Sequence, residues 1–253
     1  MALKPDLSDR SILITGAGRG LGRSMAEKLA RCGATIAVID LDVANCDAVA
    51  DGIRAAGGKA LSYAADVSVR EQIMAVAAQF AAHSGRIDAV INNAMLLRYE
   101  PVEKVTEESL NRMVGIGING SMWGTQALIA HYDPARGGAI INMASPVAEK
   151  GFPNTSAYSL VKGAIVTLTK VLAAELGPRG IRVNAIAPGS VPTPGALGLN
   201  DKAEYERRTR TIPLRRLGTE DDNAEACAFL LSNEAAFING EILHVDGGIA
   251  AAG

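Results

Sequence analysis

The chain has 253 residues, 48% hydrophobic and 21% charged, with 25 Lys and Arg against 27 Asp and Glu for a formal charge of -2. That length and apolar content bury a core without staples, so disorder is excluded, and the near-neutral balance offers no basic field to a phosphate backbone. Aromatics at 4% provide no stacking platform, and no basic patch is interleaved with them, so no nucleic-acid partner is expected.

The opening MALKPDLSDR lacks the apolar centre of a secretory signal, and Cys32, Cys46 and Cys227 are isolated from one another. Together they point to a reducing, cytoplasmic setting with neither disulfides nor a zinc site. His83, His131 and His244 are scattered as well, so no metal is expected. Two uncharged windows, 113–130 and 183–200, are long enough for a membrane span. The first holds four glycines with Asn119, Ser121, Thr125 and Gln126, and the second three prolines, so no membrane association is expected.

Short β-branched runs stand at 11–15, 34–40, 59–65, 87–92, 138–145, 180–187 and 240–245, separated by Ala/Leu/Glu-rich stretches of helical length. Several runs lack a polar face, as parallel strands covered on both sides do. The alternation predicts an α/β fold: a doubly wound parallel sheet flanked by helices on both faces. No linker divides the chain, so 1–253 reads as a single domain.

After the first run comes Thr15-Gly16-Ala17-Gly18-Arg19-Gly20-Leu21-Gly22, which leads into a helical stretch. Glycines let the chain approach a pyrophosphate closely, and the unpaired N–H groups of a helix start favour its charge. The second run ends in Asp40, eighteen residues past Gly22, with Leu41 beside it. A carboxylate there accepts from a ribose diol and repels a 2′-phosphate, which favours NAD over NADP. Arg19 argues the other way, since a guanidinium in the turn can hold a phosphate.

Tyr158 and Lys162 are spaced i, i+4, so on a helix they share one face. Thirteen residues before Tyr158, Ser145 stands at the end of a predicted strand, where α/β sheets carry their ligands. A free phenol is a poor base at neutral pH, and a neighbouring ammonium is expected to lower its pKa towards the working range. A hydroxyl at Ser145 can hydrogen-bond a reacting oxygen. Rhythm is lost between 189 and 218, where Pro192, Pro194, Gly195 and Gly198 precede the charged AEYERRTR. Such an insertion reads as a substrate lid or, failing that, a surface excursion. Its arginines, 207, 208, 210, 215 and 216, stand among Glu204, Glu206, Glu220, Asp221 and Asp222, which predicts a salt-bridged face rather than a site for an acidic substrate.

TGAGRGLG at 15–22, Asp40, Asp66-Val67, Asn92-Asn93-Ala94, Asn119, Ser145, Tyr158 with Lys162, Pro188-Gly189 with Thr193, and Val245-Asp246-Gly247-Gly248 occur in that order along nearly the whole chain. In this the chain resembles the short-chain dehydrogenase/reductase family. The resemblance implies a Rossmann-like fold and an oxidoreductase that interconverts a secondary alcohol and a ketone with NAD(H). It implies Tyr158 as general acid/base, Ser145 as the group positioning the substrate oxygen, and Lys162 also on the nicotinamide ribose. Asn119 is implied to hold a water that links Lys162 to solvent. The implied cofactor contacts are Gly16, Gly18, Arg19, Gly20, Leu21, Gly22, Asp40, Leu41, Asp66, Val67, Asn92, Ala94, Tyr158, Lys162, Pro188, Gly189, Val191 and Thr193.

Two departures from the family pattern bear on the pocket. The usual NNAG reads Asn92-Asn93-Ala94-Met95, and the usual Ser-Ser pair reads Ala144-Ser145, with Pro146 next. The substrate wall is expected at Met95, Leu96, Val147 and Phe152 with the lid, around Ser145 and Tyr158. Gly117, Gly120 and Gly124 permit close helix approach, and the resemblance implies a homo-oligomer, dimer or tetramer, built on that helix and the one carrying Tyr158. Two alternatives stay open: an NADPH-dependent 3-oxoacyl-thioester reductase, which the C-terminal segment also resembles, and a nucleotide-sensing protein without turnover.

Overall fold

The computed structural model describes residues 5–195 and 202–252, so 196–201 of the expected lid lie outside the described residues. The chain runs β1 (Ser11–Thr15), α1 (Gly20–Arg31), β2 (Thr35–Asp40), α2 (Val43–Ala55), β3 (Lys59–Ala64), α3 (Arg70–Ser84) and β4 (Ala89–Asn92). It continues through α4 (Glu107–Val114), a π-helical turn (Gly115–Asn119), α5 (Gly120–His131), β5 (Gly138–Met143), α6 (Ser156–Leu176) and β6 (Ile181–Pro188). It closes with α7 (Lys202–Thr211), α8 (Glu220–Leu231) and β7 (Ile242–Val245).

The seven strands pair in the order β3-β2-β1-β4-β5-β6-β7, and each neighbouring pair is parallel. Successive strand residues point to opposite faces, so the buried apolar runs feed two separate cores. Ile12, Ile14, Ile36, Val38, Ile91 and Ile141 pack with Met25 and Leu29 of α1, Val49 and Ile53 of α2, and Cys227 and Leu231 of α8. Leu13, Ile39, Val90, Ile140 and Val183 face Ile73 and Phe80 of α3, Leu128 of α5, and Leu172 and Leu176 of α6. The seven predicted runs all become strands, with ends moved by up to two residues.

Chain order reverses between β1 and β4, which opens a crevice at their C-terminal ends. The β1–α1 turn, the β4–α4 segment and the β5–α6 segment all emerge there. Below the sheet, Asp88 fastens the opposite ends: its buried carboxylate accepts from the Ser11 backbone N–H at 2.8 Å and from Arg86 Nε at 2.8 Å.

The lid is less irregular than expected, because AEYERRTR lies within α7. Glu204 meets Arg207 at i+3 and Arg208 at i+4, each at 2.7 Å, a spacing that supports the helix. Gly117, Gly120 and Gly124 are spent on contacts within the chain. A Cβ at Gly117 would lie 2.4 Å from Val161 Cγ1, one at Gly120 3.1 Å from Val67 Cγ2, and one at Gly124 2.1 Å from Asn92 Oδ1. Among the described residues no helix is long and apolar enough to cross a membrane.

Candidate active site

The first βα turn is held from behind by Asn93, whose Nδ2 donates to the Thr15 and Gly16 carbonyls at 2.9 Å each. Thr15 Oγ1 in turn accepts from the Asn93 and Ala94 backbone N–H groups at 3.0 and 3.1 Å. Gly16 adopts φ +64°, where an L side chain is strained, and a Cβ at Gly22 would stand 2.2 Å from the Gly16 carbonyl oxygen. Arg19 caps α1 without a side-chain hydrogen bond, so the first-turn N–H groups have no side chain to satisfy them. A cradle that excludes Cβ atoms, ahead of uncapped donors, fits a pyrophosphate.

Asp40 closes one side of this cradle. Its Oδ2 accepts from the Gly18 N–H at 3.0 Å and its Oδ1 from the Leu41 N–H at 2.8 Å, so the carboxylate is fixed with lone pairs to spare. Arg19 lies exposed at the mouth. Asp66 accepts from Ser68 Oγ at 2.6 Å and pairs with Arg112 at 2.9 Å. Burial raises the Asp66 pKa, but the Ser68 and Arg112 contacts outweigh it and hold the carboxyl below its ordinary value.

One cavity of about 730 Å³ runs from this cradle to α7. Of the residues that the resemblance implies as cofactor contacts, Gly16, Arg19, Gly20, Leu21, Asp40, Leu41, Asp66, Val67, Ala94, Pro188, Gly189, Val191 and Thr193 line it. Met95, Leu96, Val147, Phe152, Ser145, Tyr158 and Lys162 line it too. Gly18 and Gly22 do not; they serve the turn's packing, against Asp40 and Gly16 respectively. Asn92 also stays out of the cavity. Its buried side chain donates to Asn142 Oδ1 at 2.9 Å and to the Ser121 carbonyl at 3.2 Å, tying β4 to β5 and α5.

Ser145 follows β5, and Tyr158 and Lys162 occupy the first two turns of α6. Lys162 is 5% exposed and donates to the Met143 carbonyl at the end of β5, with its Nζ 5.5 Å from the Tyr158 ring centroid. Burial lowers the ammonium pKa from 10.5 to about 8. Tyr158 goes the other way: burial and the nearby Tyr99 raise it above the ordinary phenol value, and a hydrogen bond with Ser145 offsets this only in part. The expected lowering of Tyr158 by Lys162 is therefore not seen: among the groups acting on the phenol only Ser145 opposes the rise. The Lys162 Nζ stands 5.5 Å from the ring centroid, and burial moves the two groups in opposite directions.

Asn119 is not brought to the site. Its side chain is exposed at the end of the π-helical turn and does not line the cavity. Two residues apart on a helix point to nearly opposite sides, and the buried position facing α6 is Gly117. The Met95 thioether fills the room there, with Sδ 3.0 Å from where a Gly117 Cβ would be. An apolar wall thus stands where the resemblance implied an amide and a water.

Sequence reading also missed several wall residues. Tyr99 meets the Tyr158 ring edge-on, with centroids 5.6 Å apart and planes at 68°. Arg112 faces the same cavity, and so do Glu204, Tyr205, Arg207 and Arg208 of the expected lid, which the sequence reading places in the wall without naming them singly. No spacing rule marks Tyr99, which arrives from an irregular segment, whereas the Glu204 pairs follow helical spacing. The two Glu204 pairs and Arg216 with Asp222, at 2.7 Å, fit the expected salt-bridged face, yet the Glu204 cluster also forms cavity wall. Among the described residues no group of three or more His, Cys, Asp or Glu could hold a metal ion.

A family model described as enoyl-(acyl carrier protein) reductase matches residues 16–250. An oxidoreductase of Methylorubrum extorquens is 37% identical over 246 residues, covering 96% of this chain and 98% of that protein. The gluconate 5-dehydrogenase of Burkholderia cenocepacia, solved with NADP and tartrate, superposes with a TM-score of 0.94 at 33% identity, covering 100% of both chains. The 3-ketoacyl-(acyl-carrier-protein) reductase of Brucella melitensis, solved with NADH, superposes with a TM-score of 0.90 at 36% identity, covering 97% of this chain and 100% of that one.

The Lys162 shift has a measurable sign. Below about pH 8 the folded and unfolded chains both carry the charge, so the full cost of burying it is present; from about 8 to 10.5 the folded chain sheds the proton first and that cost falls. Relative to Lys162→Met, the unfolding free energy of the natural protein in urea is expected to rise by about 2 kcal/mol between about pH 7.5 and 9.5. A difference that is flat or falls with pH contradicts a buried ammonium.

Proposed function

The chain belongs to the short-chain dehydrogenase/reductase family of oxidoreductases, and on that premise we propose that it interconverts a secondary alcohol and a ketone with a nicotinamide dinucleotide, NAD(H) in preference to NADP(H). The reading is carried by the meeting of Tyr158, Ser145 and Lys162 in the same cavity as the glycine cradle. When bound, the dinucleotide supplies or accepts the hydride. Gly16, Gly20 and Leu21 with the start of α1 would hold its pyrophosphate, Asp40 its adenosine ribose, and Val191 and Thr193 its nicotinamide end.

The chain's own residues handle the proton and the alignment. Ser145 Oγ donates to the reacting oxygen and fixes its place beside the phenol, and the apolar wall of Met95, Leu96, Val147 and Phe152 keeps water from it. In reduction, Tyr158 Oη gives its proton to the carbonyl oxygen as that oxygen becomes an alkoxide. A phenol kept protonated by burial suits this direction. In oxidation the same atom takes the alcohol proton, and the hydrogen bond with Ser145 offsets part of the cost of the phenolate.

The NAD preference rests on Asp40, whose fixed carboxylate opposes a 2′-phosphate, while the guanidinium of Arg19 stands in solvent. The relatives divide on this point, one solved with NADH and one with NADP. A second reading, reduction of a 3-oxoacyl thioester, is favoured by the likeness to the 3-ketoacyl-(acyl-carrier-protein) reductase of Brucella melitensis.

Tyr158→Phe is expected to lower turnover of secondary alcohols or ketones by at least about a hundredfold while NADH still binds, read by absorbance and by NADH fluorescence. Near-normal turnover refutes the role of the phenol. In the natural protein kcat/KM is expected to be at least about tenfold higher with NAD than with NADP, and Asp40→Ala narrows that ratio. Equal or better use of NADP overturns the preference.

A further inference from the structure

The chemistry above uses the cradle and the α6 pair but leaves one end of the cavity unexplained. There α7 contributes Glu204, Tyr205, Arg207 and Arg208, and the β4–α4 segment contributes Tyr99. This is a second polar group, apart from the cradle's, and it stands beside the reacting phenol, since Tyr99 packs edge-on against Tyr158 at 5.6 Å.

Arg208 is held rather than free to swing. Its Nε donates to Glu204 Oε1 at 2.7 Å and its Nη1 to Ser190 Oγ at 3.2 Å, and its side chain is 25% exposed. A guanidinium has five N–H donors, so among the described residues Nη2 and one Nη1 hydrogen remain without a protein acceptor. Arg207, by contrast, spends Nε and Nη2 on Glu204 at 2.7 Å each and is largely exposed. Among the described residues that line this wall, two guanidiniums stand against one carboxylate, a balance of one positive charge. The Tyr205 hydroxyl is buried with no hydrogen-bond partner among the described residues, and Tyr205 lines the same cavity. A buried hydroxyl without a partner is costly and is relieved by a ligand oxygen.

We propose that this end of the cavity receives a carboxylate carried by the substrate, so that the protein acts on a secondary alcohol or ketone whose carbon chain ends in a carboxylic acid, recognised by Arg208 and Tyr205. The proposal rests on the alcohol–ketone reading and adds the substrate class to it. A planar guanidinium edge matches a planar carboxylate, and one net positive charge suits a monoanion. A phosphate dianion would meet the repulsion of Glu204 with less compensation. The positive charge of Arg208 already acts on the Tyr99 phenol, opposing the rise that burial imposes, so its field reaches the wall next to Tyr158.

The test uses 3-oxobutanoate, 4-oxopentanoate and 5-oxohexanoate, each against its methyl ester, with NADH and the full-length protein. For at least one chain length, kcat/KM is expected to favour the acid over its ester by at least about tenfold, mainly through KM. Arg208→Gln is expected to bring that ratio to about one, Arg208→Lys to retain part of it, and Tyr205→Phe to reduce it. NADH affinity, read by fluorescence, is expected to stay within about threefold in all three variants. Should Arg208→Gln weaken NADH binding and leave the acid-to-ester ratio unchanged, Arg208 serves the dinucleotide and the proposal is overturned. It is overturned equally if esters or neutral ketones are turned over and every acid is rejected, an outcome that leaves the oxidoreductase reading intact. If no compound is reduced, that reading fails; quenching of bound NADH fluorescence by the acids but not the esters then still supports the carboxylate site, and its absence refutes it.

Discussion

A lysine ammonium buried against the carbonyl of Met143 is the constraint around which the site is arranged. Taking that charge out of water is unfavourable, and the backbone acceptor at the end of β5 offsets it only in part, which is why the group titrates so far below an exposed lysine. The bond ties α6 to β5 and so fixes where Tyr158, one turn earlier on the helix, meets Ser145, two residues beyond the strand. If Lys162 were solvated instead, the phenol would have neither a fixed position nor a latent cation near it. The sheet order serves the same end, because the reversal between β1 and β4 leaves the crevice open beside β5.

Charge is distributed unevenly along the cavity. At the cradle end Asp40 is held by backbone N–H groups and Asp66 is neutralised by Arg112, while the exposed Arg19 stands at the mouth. At the α7 end guanidiniums exceed carboxylates, with Glu204 held down to about 2 by Arg207 and Arg208. Between them lies an apolar stretch of Met95, Leu96, Val147 and Phe152. Hydroxyl-rich ribose suits the first end and a singly charged anion the second, while the dry middle strengthens the few polar contacts that act on the reacting oxygen.

Much of this was legible from residue patterns. The β-branched runs predicted all seven strands, because a parallel sheet covered on both faces demands unbroken apolar segments. That Gly16, Gly20, Asp40, Ser145, Tyr158 and Lys162 meet at one cavity was legible from residue types at fixed spacing. Asn119 failed for a reason of phase: residue type and rough position matched, but the side a helix presents changes completely over two residues, and here a π-helical turn lies at that point. The pKa order of Tyr158 and Lys162 failed because spacing carries no information about burial, which decides both shifts. Tyr99 was invisible because tertiary packing alone brings an irregular segment to the phenol.

The most direct test of the account is a crystal structure of the protein grown with NADH. The account predicts the pyrophosphate on the 16–22 turn and the nicotinamide C4 within about 5 Å of Tyr158 Oη, the span of one hydrogen bond and one short step beyond it. A dinucleotide bound elsewhere, or a C4 more than about 10 Å from that hydroxyl, would contradict it, because no proton transfer coupled to hydride transfer reaches so far.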